Sequence, residues 1–389
     1  MNINDITKIN IYKKKILIRL DLNVPMKKNK ITSYERINSS LKTIKFALKN
    51  KSKIIILSHL GRPTEGLFKK KYSLLPIVNY LKQKFPNVII HFKKNINKKY
   101  KINYGEILIF ENVRFNIGEK NNDKILSKKY ASLCEVFVID AFGTAHRKEA
   151  STYGVGIFSK ISCAGFLFMS EIKSLKKCIQ NPKLPLVTIL GGSKISTKFN
   201  ILKKLCKISD TVIVGGGIAN TFLAIKNNIG KSIYEKNFIN LAKKLKKKYN
   251  IIIPIDSKVK QTNIKKIKYI IKKSSEIKNN EEIMDIGNQT IKKIKKIIKK
   301  AKTIIWNGPV GVFESKEFRN GTKKIAYAIS NNKNSFSIAG GGDTLAVIEM
   351  FDIKNNISYI STGGGAFLEF IEGKKLPVIK MLKKKYIKK

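Results

Sequence analysis

Residues 53–66 read KIIILSHLGRPTEG, and the order of residue types in this stretch decides the fold. Residues 54–57 are apolar without alternation, the pattern of a strand covered on both faces in a parallel sheet. The run then breaks into Ser58-His59-Leu60-Gly61-Arg62-Pro63. That turn places an imidazole and a guanidinium at the carboxyl end of a strand, where open α/β sheets bind ligands. The same order recurs along the chain. Residues 16–20, 88–91, 106–110 and 136–140 read as strands in the first half. Residues 186–190, 211–214, 251–254, 303–306, 335–339 and 358–361 do so in the second. Helical patterns, such as 40–49, 74–84 and 127–133, separate them. This alternation predicts an α/β chain with two doubly wound parallel-sheet (Rossmann-like) domains. At 389 residues the length also suits two cores better than one. The boundary is expected within 165–180, with 171–179 as a helix joining the halves, which gives domains 1–170 and 171–373. Asn181-Pro182 and Leu184-Pro185 punctuate the helix end.

The formal charge of +53 suggests a nucleic-acid partner, but its distribution argues otherwise. The basic residues are spread over the whole chain, as in 243–248, 292–300 and 383–389, and few aromatics interleave with them. Solvated helix faces are the expectation for these lysine runs. Of 79 basic residues only six are arginine: Arg19, Arg36, Arg62, Arg114, Arg147 and Arg319. In a chain so biased to lysine, each arginine marks a place that needs a planar, bidentate group. The four cysteines, Cys134, Cys163, Cys178 and Cys206, form no C-x-x-C pair and read as buried free thiols. Three scattered histidines supply no zinc motif. No stretch has the length and apolarity of a membrane span. Residues 1–10 contain no apolar core, so a secretory signal is not expected.

The two halves end their strands differently. In the first half the turns carry charge: Asp21-Leu22-Asn23, then His59 to Arg62, then Glu111 to Arg114, then Ala141 to Arg147, with Arg36 following Asp21 in a loop. Guanidiniums gathered at one sheet edge make a site for a small, multiply charged acid. Arg19 lies inside its strand and reads equally well as a structural ion-pair residue. In the second half five strands end in glycine: Gly191-Gly192-Ser193-Lys194 with Lys198 beyond, Gly215-Gly216-Gly217, Asn307-Gly308-Pro309 with Glu314 close behind, Gly340-Gly341-Gly342-Asp343-Thr344, and Gly363-Gly364-Gly365. Such turns let amide N–H groups and helix N-termini approach phosphate. A Walker A loop is excluded, because Ile225 stands where Gly230-Lys231-Ser232 would need its first glycine. The dinucleotide fingerprint is only partly met at Gly215, Gly217 and Asn220. An arginine-rich acid site and a glycine-rich nucleotide site in one chain is what phosphoryl transfer requires.

The same stretches resemble the phosphoglycerate kinase family, in the family's order from end to end. They are 19–25 (RLDLNVP), 58–66, 111–115 (ENVRF), 140–147 (DAFGTAHR), 191–198 (GGSKISTK), 214–220 (VGGGIAN), 306–314 (WNGPVGVFE), 339–344 (AGGGDT) and 361–369 (STGGGAFLE). Ser193 stands where many members have alanine. The resemblance implies Mg²⁺-dependent, reversible phosphoryl transfer from 1,3-bisphosphoglycerate to ADP, giving 3-phosphoglycerate and ATP. It implies that Asp21, Asn23, Arg36, His59, Arg62, Arg114 and Arg147, with the backbone at Leu22, Leu60 and Gly61, hold the glycerate and its remaining phosphate. Lys198 would contact the nucleotide phosphates and Glu314 the ribose hydroxyls. Asp343 would hold Mg²⁺, and Gly341, Gly342 and Thr344 would line the phosphates. Arg36, Lys194 and the amides near Gly364 and Gly365 would stabilise the transferring group. It also implies a cytoplasmic monomer whose halves close by hinge bending about 171–181, with segment 374–389 packed back on the first domain. The alternatives are a non-catalytic, basic nucleic-acid-binding protein on the same fold, a degenerate scaffold, and an α/β dehydrogenase that the missing fingerprint disfavours.

Overall fold

The structure, a computed structural model, describes residues 2–261 and 269–386. The described residues form two compact units. One runs to Ile172 and takes in the residues from Lys375 onward, and the other is Lys173–Lys374. The helix Phe166–Ile179 contains the division between them.

The first unit is built on a six-stranded sheet in the spatial order Ile90–Lys93, Ile107–Phe110, Lys53–Leu57, Lys15–Leu20, Val136–Asp140, Ile161–Ala164. Every neighbouring pair is parallel. The strands are rich in isoleucine and valine, and Val136–Asp140 is buried along its full length. Branched side chains packed on both faces suit a buried parallel sheet. Arg19 pairs with Leu57 and Leu20 with Asp140, so the carboxyl ends of the central strands lie level. The turns after them therefore emerge on one edge. Helix Glu35–Lys49 covers one face with Ile37, Ile44 and Ala47, and its Glu35 and Lys49 complement the helix dipole. This helix begins earlier than the sequence pattern suggests, so Arg36 lies in its first turn rather than in a loop. At the far end, helix Pro377–Lys384 buries Val378, Ile379, Met381 and Leu382. Each is worth about 1.5–3 kcal/mol on full burial. Val378 N–H donates to Ala145 O at 3.2 Å, which ties this helix beside the arginine-bearing turn 141–147.

The second unit repeats the plan with the order Ile251–Ile252, Thr211–Val214, Leu186–Leu190, Thr303–Asn307, Phe336–Gly340, Tyr359–Ser361, again parallel throughout. Leu190 pairs with both Val214 and Asn307, and Gly340 pairs with Ser361, so the glycine turns also share one edge. Helix Asn288–Lys300 shows what the lysine runs do. Ile291, Ile294 and Ile298 are buried, while Lys292, Lys293, Lys295, Lys296, Lys299 and Lys300 are exposed. No described helix is long and apolar enough to cross a membrane. Two features depart from the expected all-parallel plan, a short antiparallel pair, Met26–Lys27 with Lys30–Ile31, in the first unit and a larger sheet in the second. Strands Tyr269–Lys273, Asp256–Gln261 and Glu281–Ile286 form an antiparallel sheet of three, with Asp256–Gln261 central. Their sequences mix charged and apolar residues: Tyr269–Lys273 is largely exposed, and the other two strands bury charged groups, Asp256, Glu281 and Asp285 among them, unlike the apolar runs of the two main sheets.

Candidate active site

At the sheet edge of the first unit, side chains stitch the four charged turns together. Leu22 N–H donates to Ser58 Oγ at 2.9 Å, and Gly61 N–H donates to Asn23 Oδ1 at 2.8 Å. Asn112 Nδ2 donates to Leu60 O at 2.7 Å, and its Oδ1 accepts from Arg114 N–H at 3.1 Å. These bonds hold the arginines in place. Arg36 Nη1 meets Asp21 Oδ2 at 2.8 Å. Arg114 is buried and donates through Nη1 to Gly61 O at 2.5 Å and through Nη2 to Glu149 Oε1 at 3.3 Å. Arg147 reaches the same Glu149 oxygen at 3.6 Å. One carboxylate thus serves two guanidiniums, and Arg114 Nε is buried with no partner among the described residues. Arg62 is exposed and, among the described residues, makes no hydrogen bond or ion pair.

His59 is the point on which this charge converges. It is 3% exposed, and its pKa lies well below the ordinary value. Burial is the main cause, followed by the positive charges of Arg19, Arg114, Arg147 and Arg36. The imidazole is therefore neutral at physiological pH. Arg19 Nη2 lies 3.1 Å from its Nδ1. A guanidinium can only donate, so Nδ1 accepts and the proton sits on Nε2. Arg19 is fully buried and, among the described residues, makes no ion pair, so its part here is structural.

In the second unit the turns at Gly192, Gly216-Gly217 and Gly311 line a pocket of about 340 Å³, near the small end of ordinary ligand sites. Ile233, Pro254, Met284, Val310 and Phe313 give it apolar walls, Gly216 and Gly217 part of its floor, and Glu314 and Asp343 acidic groups on its lining. A Cβ on Gly217 would lie 2.0 Å from Ser193 O, so only glycine lets the two turns approach this closely. Gly341 has φ +103°, and a Cβ there would lie 2.6 Å from Asn307 Nδ2. Asp343 lies in the first turn of helix Gly342–Met350 and is exposed. Lys198 donates to Gly191 O at 2.7 Å. Burial pushes its pKa down to about 8, with Asp343 opposing the shift.

Lys194, Lys198, Gly341, Gly342, Thr344, Gly364 and Gly365 are not on the pocket wall but on turns of the same sheet edge. Lys194 is exposed and lies near Glu235. Burial pushes the Glu235 carboxyl up, but hydrogen bonds from Ser196 and Ile195, together with the Lys194 charge, outweigh it and hold the group below the usual carboxylate range. Gly364 has φ +49° and opens helix Gly365–Ile371, and a Cβ there would have nothing within 4 Å. Thr344 Oγ1 donates to Gly340 O at 3.0 Å and accepts from Gly308 N–H at 2.8 Å. Its hydroxyl is therefore committed, and only its amide is left for a ligand. Arg319 turns out to brace the loop of Glu314, donating through Nη2 to Glu314 O at 2.8 Å.

Sequence reasoning misses Glu149, which holds two arginines, and the apolar walls Ile233, Pro254 and Met284. Met284 belongs to the antiparallel strand Glu281–Ile286. Among the described residues no cluster of three or more His, Cys, Asp or Glu side chains could hold a metal ion. A lone exposed carboxylate beside a phosphate site still suits Mg²⁺, which binds through one or two carboxylates, waters and the nucleotide's own phosphates.

The sequence model for phosphoglycerate kinase matches residues 6–374. A phosphoglycerate kinase of Buchnera aphidicola subsp. Schizaphis graminum is 64% identical over 389 residues, covering 100% of both chains. The structure of phosphoglycerate kinase from Coxiella burnetii is 43% identical, with a TM-score of 0.93 over 99% of this chain and 100% of that one. The Pyrococcus horikoshii OT3 phosphoglycerate kinase is 29% identical, with a TM-score of 0.82 over 98% and 99%. None of these similarities favours a nucleic-acid-binding protein.

Proposed function

The chain belongs to the phosphoglycerate kinase family, and from that premise we propose how its own residues divide the work of the transfer. The reaction is reversible: ADP attacks the acyl phosphate of 1,3-bisphosphoglycerate, ATP forms, and 3-phosphoglycerate leaves as the carboxylate. Residues 1–170, with 374–389, bind the glycerate, and residues 171–373 bind the nucleotide. Arg36, Arg62, Arg114 and Arg147 take the charges of the glycerate ligand. His59 donates from Nε2, while Asp21 and Asn23, with the backbone at Leu22, Leu60 and Gly61, fix its orientation. The observation that carries this reading is the convergence of Arg36, Arg114 and Arg147, with the structural Arg19, on a neutral, buried His59, with the Nε–H of Arg114 left over for a ligand oxygen.

On the nucleotide side the apolar walls take the base and Glu314 the ribose hydroxyls. Lys198 and the amides of Gly341, Gly342 and Thr344 take the phosphates. Asp343 holds Mg²⁺, which neutralises phosphate charge when bound. The charge of the transferring group is assigned to Arg36 of the first unit and to Lys194 and the amides of Gly364 and Gly365 of the second. No general base is required, because the attacking oxygen of ADP is already an anion. Catalysis is then positioning and charge neutralisation. The place of action is the cytoplasm, a reading supported by four free thiols, three of them buried.

A coupled assay of ATP formation from 1,3-bisphosphoglycerate, ADP and Mg²⁺ tests the assignment. A transition-state arginine in phosphoryl transfer is worth roughly 10³–10⁵ in rate. Arg36→Ala is expected to lower kcat by at least about a hundredfold. A near-wild-type kcat in that variant would remove Arg36 from the mechanism.

A further inference from the structure

Behind His59 lies a row of buried polar groups that the transfer itself does not use. Glu119, Ser151 and Arg19 are all 0% exposed. Ser151 donates to Glu119 twice, from Oγ to Oε1 at 2.5 Å and from its backbone N–H to Oε2 at 3.1 Å. With its hydroxyl proton spent on the carboxylate, Ser151 Oγ has lone pairs free, and it accepts from Arg19 Nε at 3.0 Å. Arg19 Nη1 donates to Leu20 O, and Nη2 points at His59 Nδ1 at 3.1 Å. Arg19 can only donate, so Ser151 Oγ and His59 Nδ1 both accept from it, and the Ser151 hydroxyl proton is thereby directed to Glu119. Glu119 is the buried end of the row, anchoring the hydroxyl that receives Arg19 Nε.

We propose that Glu119 is a positioning residue for His59: it holds Ser151, which holds Arg19 with Nη2 on His59 Nδ1, and this keeps the imidazole a neutral Nε2–H donor. The charged groups around His59 support this state, since Arg19, Arg114, Arg147 and Arg36 all oppose an imidazolium. Burial pushes the Glu119 carboxyl up to about 7, opposed by the Ser151 hydrogen bonds and the Arg19 charge and reinforced by Glu149, whereas Arg19 donates to His59 at either protonation state of Glu119. Buried Tyr130 is close enough to feel the Glu119 charge. The consequence for the reaction rests on the assignment of His59 to the glycerate ligand. A donor held on Nε2 can meet an anionic oxygen, whereas the other tautomer would present a lone pair and repel it.

The test is nitrogen-15 NMR of the imidazoles in the full chain from pH 5 to pH 8, with H59Q used to assign the His59 signals. Wild type is expected to show His59 protonated on Nε2 only, without titration. Glu119→Gln and Ser151→Ala are expected to give a mixed tautomer population or a His59 that titrates in this range. Each should also raise KM for 3-phosphoglycerate at least about threefold while leaving KM for ATP unchanged, the loss expected of a weakened hydrogen bond. Glu119→Asp should restore the wild-type tautomer in part. A wild-type His59 that carries its proton on Nδ1, or that titrates near the ordinary histidine pKa, overturns the proposal without any variant. So does a wild-type signature in both folded variants. Adding 3-phosphoglycerate separates the two readings: an Nε2 signal that ignores the ligand removes His59 from the substrate site but leaves the tautomer chain standing.

Discussion

Lys198 allows a prediction in which the sign and size both come from the structure. Its ammonium donates to Gly191 O at 2.7 Å, and burial lowers its pKa to about 8. By that value the free chain holds Lys198 about nine-tenths protonated at pH 7 and about one-tenth protonated at pH 9. A polyphosphate favours the charged form, so nucleotide binding raises the pKa and takes up a proton. Affinity is therefore full below the free-state pKa and falls as the pH rises through it. If only the ammonium form binds, the apparent Kd for MgADP rises about tenfold between pH 7 and pH 9, or about 1.4 kcal/mol. Calorimetric titration of MgADP at pH 7, 8 and 9 measures this directly. Lys198→Arg keeps its charge throughout and should give a flat profile over the same range. A flat wild-type profile would refute the reasoning. An equal slope in Lys198→Arg would refute it too, because the titrating group would then lie elsewhere.

Two further substitutions probe the two ligand sites through stability. Glu149→Gln removes the carboxylate that Arg114 and Arg147 share at 3.3 and 3.6 Å. Breaking a buried pair costs about 3–5 kcal/mol. In a unit of roughly 150–250 residues each kcal/mol lowers Tm by about 2–4 °C, so calorimetry should show a clear drop in one transition. A shift under about 1 kcal/mol would mean that Glu149 is not the counter-charge. Gly341→Ala forces φ +103° on a residue with a Cβ and brings that atom to 2.6 Å from Asn307 Nδ2. It should cost about 1–3 kcal/mol and weaken MgADP while sparing 3-phosphoglycerate, as read by paired titrations.

The parallel strands are legible in the sequence because burial on both faces leaves uninterrupted Ile and Val runs, as at Lys53–Leu57 and Val136–Asp140. The turns are legible because arginine is scarce in this chain and glycine triplets follow strands. The antiparallel strands Asp256–Gln261 and Glu281–Ile286 are hidden by their mixed residues, and with them goes the Met284 wall of the pocket. Helix Glu35–Lys49 reads too short from sequence because its first turn holds Arg36, Asn38 and Ser39, which carry no apolar signal beyond Ile37. The partners of the arginines are hidden for a different reason. Glu149 lies 35 residues from Arg114, and Ser151 lies 132 residues from Arg19. Register between distant turns follows from strand pairing, which single-sequence periodicity does not encode.

The division of labour between the units is tested most directly by titrating Arg62→Ala with 3-phosphoglycerate and, separately, with MgADP. Arg62 is exposed and makes no hydrogen bond or ion pair among the described residues, so its removal should leave the fold intact. Losing a charge-assisted bond of about 1.5–3 kcal/mol should weaken 3-phosphoglycerate at least about tenfold, with MgADP affinity within about twofold of wild type. Unchanged 3-phosphoglycerate binding, or a loss confined to MgADP, would contradict the account.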